Sequence, residues 1–106
     1  MDAQLKKGSL DVLVLSAISR GSNYGYRIIK DLKDFYEISE STLYPILKRL
    51  EANQLVKVKD EIHNGRNRKI YVITKLGYER MVEFLEDFKE LLTVYAVIKK
   101  GVDEYE

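Results

Sequence analysis

The chain has 106 residues, with 18 Lys and Arg against 17 Asp and Glu, one His, no Cys and 45% hydrophobic residues. That length suits one domain with a core, and the near-neutral balance argues against both a wholly basic nucleic-acid coat and an acidic disordered tail. Absent cysteine excludes a disulfide framework and a thiolate metal site.

No apolar run approaches the roughly 18 residues that cross a bilayer. Asp2 and Asp11 come early and no small-residue cleavage site follows, so no signal peptide is expected and the expected location is cytoplasmic. No cofactor or metal is expected, because the single His63 has no second ligand of its kind. At that position a solvated loop histidine is the simplest reading.

The first helix is expected over about residues 5–19. Leu10, Leu13, Val14, Ala17 and Ile18 repeat at helical spacing, and Leu5, Val12 and Leu15 make a second apolar stripe. Two stripes need two partners, which hints at a second chain. Gly21-Ser22-Asn23 reads as a turn with Asn23 as N-cap of a helix over about 24–35, where Tyr24, Ile28, Leu32 and Phe35 recur. Ser39 caps a third helix over about 40–53, with Leu43, Ile46, Leu47 and Leu50 facing inward. Ser41, Tyr44 and Lys48 lie on its other side. Pro45 removes one backbone N–H, so this helix either starts late or bends there.

The period then changes. Val56 and Val58 alternate with Lys57 and Lys59, Ile62 keeps their phase, and residues 68–73 form a second β-rich run. Asn64-Gly65 supplies the positive φ angles of a tight hairpin turn, leaving residues 63–68 as a basic tip. The wing spans about residues 55–73. Thr74 then caps a last helix whose Met81, Phe84, Phe88, Leu91, Tyr95, Ile98, Val102 and Tyr105 follow a heptad-like register, widened by Leu85 and Leu92. Helical to about Lys100, it would run roughly 40 Å. A compact domain of this size has a radius of gyration near 13 Å. The distal stripe therefore needs a partner chain, and dimerisation is the simplest source. The fold class is mainly α with a small β-hairpin, divided at about residue 74 into a winged helix-turn-helix (1–74) and a dimerisation helix (75–106).

Charge is unevenly distributed along these elements. Residues 48–75 carry eight basic and three acidic side chains, residues 76–106 four basic and eight acidic, and residues 1–47 six of each. A middle segment of net +5 points to a polyanion, and the order of elements points to duplex DNA. The third helix would enter the major groove. Arg66, Arg68, Lys69 and the turn residue Gly65 would meet phosphates, and Asn23 and Tyr24 would bind another at the start of helix two. Ser41, Thr42, Tyr44 and Lys48 occupy the reading face, with Lys48 the first choice for a base edge. Tyr24, Tyr26 and Tyr44 are equally read as packing residues with exposed hydroxyls. Arg49 and Glu51 read as surface ion-pair residues. Gly25 and Gly77 read as sites of close helix approach. Glu83, Glu86, Asp87 and Glu90 read as the wet face of the last helix, pointing away from DNA.

Three strings, YGYRIIKDL (Tyr24 to Leu32), STLYPILKRLE (Ser41 to Glu51) and GRNRKIYVIT followed by Gly77, closely resemble the PadR family (phenolic acid decarboxylase regulators). Together they span residues 24–77, most of residues 5–80. The resemblance implies a dimeric, usually repressing transcription factor on a pseudopalindromic operator. The single long last helix looks like the family's smaller subgroup, in which it pairs with the partner's first helix. Asn67 stands where that family often has Pro in the wing. The resemblance also implies a candidate aromatic effector at the dimer centre near Phe88 and Leu92, with Leu5, Val12, Leu15 and Leu91 as walls. An aromatic in a heptad-like stripe is more often interface core. The interface residues expected are Leu5, Val12, Leu15, Met81, Phe84, Phe88, Leu91, Tyr95 and Ile98.

A protein-interaction module on the same fold is the competing reading, and the retained wing cations argue against it. The sequence contains no nucleophile–base pair, P-loop or dinucleotide fingerprint that would indicate an enzyme.

Overall fold

The computed structural model describes residues 3–105, with side chains from residue 7 onward. The elements run α1 (Ala3–Ser19), α2 (Gly25–Leu32), α3 (Glu40–Ala52), β1 (Val56–His63), β2 (Arg66–Ile73) and α4 (Lys75–Tyr105). The protein is mainly helical, with one antiparallel hairpin and a long C-terminal helix, as expected. Helices α1 to α3 pack around Val14, Leu15, Ile28, Leu43, Leu47 and Leu50, all under 3% exposed. Burying each such side chain contributes about 1.5–3 kcal/mol. Leu55, Val56 and Tyr71 extend the same core beneath the hairpin.

Local chemistry sets several of the boundaries. Ser39 caps α3 by accepting from the Thr42 N–H at 3.3 Å, and Thr74 Oγ1 accepts from the Gly77 N–H at 3.0 Å at the start of α4. The third helix begins directly after Ser39 and runs through Pro45, so it does not start late. It ends in a paired motif. Leu55 N–H donates to Leu50 O at 2.9 Å and Gln54 N–H to Glu51 O at 2.9 Å, with Gln54 at φ 61°.

Several expectations need correction. Helix α2 stops at Leu32, and the Phe35 and Tyr36 amides both donate to the Leu32 carbonyl (2.9 and 2.8 Å). That turn throws Phe35 into solvent at 79% exposure and packs Tyr36 against the core instead. Asn23 is not the cap of α2. Tyr24 occupies the cap position without a side-chain hydrogen bond, while the Asn23 carbonyl accepts from the Tyr71 N–H at 2.8 Å. The hairpin is paired out to His63 opposite Arg66, so its tip is only Asn64 (φ 51°) and Gly65 (φ 75°). Ile62 keeps the phase of Val56 and Val58 but is exposed, because the distal wing extends past the body.

Leu15 is the clearest reassignment. It is fully buried in the protomer's own core and offers no surface to a second chain, whereas Val12 on the same stripe stays half-buried. The side chain of Leu5 lies outside the described residues. Helix α4 continues to Tyr105, five residues beyond expectation and about 46 Å at 1.5 Å per residue. It carries the molecule to 63 × 26 × 20 Å with a radius of gyration of 16.8 Å.

Candidate nucleic-acid interface

Helix α3 turns its apolar side to the core and leaves Ser41, Thr42, Tyr44 and Lys48 exposed. The Ser39 hydroxyl bridges to Ser41 Oγ (3.0 Å) and Thr42 Oγ1 (3.1 Å), which orders the first turn. Within the helix, Pro45 has no N–H to offer the Ser41 carbonyl. Arg49, on the neighbouring stripe, is committed elsewhere. Its guanidinium makes a bidentate pair with Asp11 (2.7 and 3.1 Å) that ties α3 to α1, and this pairing raises its pKa above the ordinary arginine value. It is therefore a structural rather than a DNA-facing arginine.

The hairpin stands beside this face. Its register sets Lys69 opposite Asp60, Arg68 opposite Glu61, and Arg66 opposite His63. Lys69 and Arg68 thus have an acidic cross-strand neighbour, and Arg66 at the tip does not. No ion pair joins Arg68 to Glu61 or Lys69 to Asp60 among the described residues. Arg68 instead stacks on Tyr24, its guanidinium carbon 4.0 Å from the ring centroid, and its Nε is buried without a hydrogen-bond partner.

Tyr24, Gly25, Tyr26, Tyr44, Asn67, Arg68, Lys69 and Tyr71 line an open groove of about 570 Å³ between the start of α2, α3 and the wing. A Cβ on Gly25 would meet the Tyr44 hydroxyl at 3.4 Å, so this glycine lies in ordinary contact with α3. Burial pushes the Tyr71 phenol above its ordinary value, with Glu51 and Tyr44 adding to the effect. Tyr26, Asn67 and Tyr71 were not singled out for this groove from the sequence. The pairing of Tyr71 with the Asn23 carbonyl is what brings them there, and no local pattern announces it.

The expected interface residues fall on a different face. Met81 and Phe84 are half-buried against the protomer, and Phe84 stacks on Phe88 at 6.0 Å with planes 20° apart. Phe88, Leu91, Leu92, Tyr95 and Ile98 are exposed in the protomer. Glu83, Glu86, Asp87 and Glu90 are also exposed. At the base of α4, Val12, Leu50, Leu55, Leu76, Arg80 and Glu83 are among the residues lining a groove of about 380 Å³. Among the described residues no cluster suits a metal ion and no helix is long and apolar enough to cross a membrane.

Three short helices, a basic hairpin and an exposed α3 face define a winged helix-turn-helix regulator. The model of the "Transcriptional regulator PadR-like family" matches residues 14–83. The chain belongs to this family, whose members are transcriptional regulators and not enzymes. It is similar to the crystal structure of a PadR family regulator of Eggerthella lenta (31% identity, 90% of this chain and 85% of that one, TM-score 0.80). A PadR-like regulator of Bacillus cereus is similar over 91% of this chain and 96% of its own (30% identity, TM-score 0.74). A transcriptional regulator of Mycobacterium tuberculosis is 38% identical over 56 residues, about half of each chain.

Proposed function

We propose that this DNA-binding regulator acts as a homodimeric repressor on a pseudopalindromic operator, reading bases with α3 and gripping phosphates with the wing. The observation that carries the reading is the exposed row Ser41, Thr42, Tyr44 and Lys48 beside a cationic hairpin bearing Arg66, Arg68 and Lys69. Lys48 is the base-edge residue, and Gly65 lets the tip approach the backbone closely. Asn23 completes the footprint at the entry to α2.

Dimerisation is supported by the uncovered stripe of α4, where Phe88, Leu91, Tyr95 and Ile98 are each 46–62% exposed. Met81, Phe84 and Val12 extend that surface towards the body. The Phe84–Phe88 stack favours a packed aromatic interface there. A flat aromatic effector would enter beside Phe88 and Leu92. The protein would work in the cytoplasm.

Operator binding by the purified protein across salt concentrations tests the reading. Affinity should fall steeply with salt, and Arg66→Ala should weaken binding to every sequence while lowering the salt slope by about one. Salt-insensitive binding, or none at low salt, refutes the repressor. Truncation after Phe84 should yield monomers by sedimentation and abolish half-site clamping; a dimeric truncation product refutes the interface.

A further inference from the structure

We propose that Tyr24 is a positioning residue whose ring face holds Arg68, so that the wing and the α2–α3 head meet DNA as one surface. The proposal rests on the DNA-binding reading and assigns Tyr24 a role through Arg68 rather than through its own hydroxyl.

A two-stranded hairpin is marginal by itself in water. At its base Val56, Ile70 and Tyr71 are buried, but every residue from Lys59 to Asn67 is exposed. Something must fix the swing of that distal half. Two contacts tie β2 to the segment that opens α2. One is the Tyr71 N–H donated to the Asn23 carbonyl at 2.8 Å. The other is the Arg68 guanidinium, 4.0 Å from the centroid of Tyr24, the residue next to Asn23.

The second contact lies three residues closer to the wing tip, so it restrains the pivot that the backbone bond leaves. Its chemistry also keeps the cation available. Arg68 has no carboxylate partner among the described residues, although Glu61 sits directly opposite across the hairpin. A ring face attracts the guanidinium without neutralising it. The buried Nε without an acceptor shows how far the group is drawn off solvent on that side. A flat, charged, pre-oriented guanidinium loses less freedom on meeting a phosphate than a solvated one would. Lys69 and Arg66, both exposed, have no such support.

The experiment uses the full-length protein and a duplex selected from a random library by the wild type. Tyr24→Phe keeps the ring face and should bind DNA as wild type. Tyr24→Leu should weaken binding about three- to tenfold, and the same change in an Arg68→Gln background should add almost nothing. Independent losses in the double variant, or Phe failing as badly as Leu, overturn the proposal. NMR of the free protein supplies a readout that needs no DNA. Arg68 side-chain protons should be ring-current shifted upfield in the wild type and in Tyr24→Phe, and should return to free-arginine positions in Tyr24→Leu. Unshifted protons in the wild type refute the stack. Failure of the wild type to select any duplex instead refutes the DNA-binding reading on which the role depends, even where the stack is present.

Discussion

Replacing Gly77 by alanine should cost this fold about 2–3 kcal/mol, and the structure supplies the reasons. A Cβ built on Gly77 runs into the Leu55 carbonyl oxygen, comes within 2.8 Å of Ile73 Cγ1 and reaches 3.1 Å from the Leu55 carbonyl carbon. The carbonyl cannot retreat freely. It accepts from the Thr74 N–H at 3.1 Å, the preceding Gln54 carbonyl accepts from Thr74 Oγ1 at 2.8 Å, and Leu55 N–H is held by Leu50 O at 2.9 Å. Overpacking against such a wall costs about 1–3 kcal/mol, and loss of one hydrogen bond adds about 1 kcal/mol. Alanine's helix preference returns less than about 1 kcal/mol. With an m-value of about 1–3 kcal/mol/M in urea, the unfolding midpoint should fall by about 1 M. Circular dichroism at fixed protein concentration measures it. Gly101→Ala, in the interior of α4 with nothing within 4 Å of its Cβ, is the control and should stabilise by up to about 1 kcal/mol. A Gly77→Ala protein within about 0.5 kcal/mol of wild type would refute the close-approach argument.

Gln54 occupies a left-handed position where glycine is preferred, so Gln54→Gly should raise stability by about 0.5–1 kcal/mol; a lower melting temperature would contradict this. The Asp31 carboxyl is held below its ordinary value, first by the Ser22 hydroxyl at 2.6 Å and then by Arg27 at 2.9 Å. Its stabilising contribution is therefore complete above the ordinary carboxylate range and is lost as pH falls through the lowered folded value. Asp31→Asn should flatten the acid limb of an unfolding-versus-pH curve, and an unchanged limb removes Asp31 from that balance. A double-mutant cycle on Asp11→Ala and Arg49→Ala should give a coupling of about 0.5–1 kcal/mol; additive losses would mean the bidentate pair contributes nothing between α1 and α3.

Ser39, Thr74 and Asn64-Gly65 were readable because each acts on backbone within three residues of itself. Their caps and turn stand where the pattern placed them. The exposed row on α3 was equally legible, since one buried stripe on a helix leaves the opposite side out. Phe35 was misplaced because apolar spacing continued one turn beyond the residues whose backbone stays helical. Leu15 was misassigned for a related reason: a second stripe says that something covers it, and here the chain's own core does. The Tyr24–Arg68 stack and the Arg49–Asp11 pair join residues 44 and 38 positions apart, and no local spacing encodes either.

The arrangement of charge follows from α4 leaving the body. Residues 76–106 hold eight acidic side chains against four basic ones. Placed beside α3, that surplus would oppose the phosphate contacts proposed for residues 48–75. The molecule is 63 Å long and every residue of α4 from Leu85 to Tyr105 is exposed, so much of the acidic surplus sits on a helix that extends past the body. The same projection leaves Leu91, Tyr95 and Ile98 uncovered, and Val94 and Val97 as well, which lie off that stripe. A helix apolar on more than one side calls for more than one neighbour. In the proposed dimer, the helix that separates acid from DNA is therefore the one that most needs the second chain. Operator affinity should depend on protomer concentration wherever the dimer dissociates, because a monomer carries one reading head and an uncovered stripe.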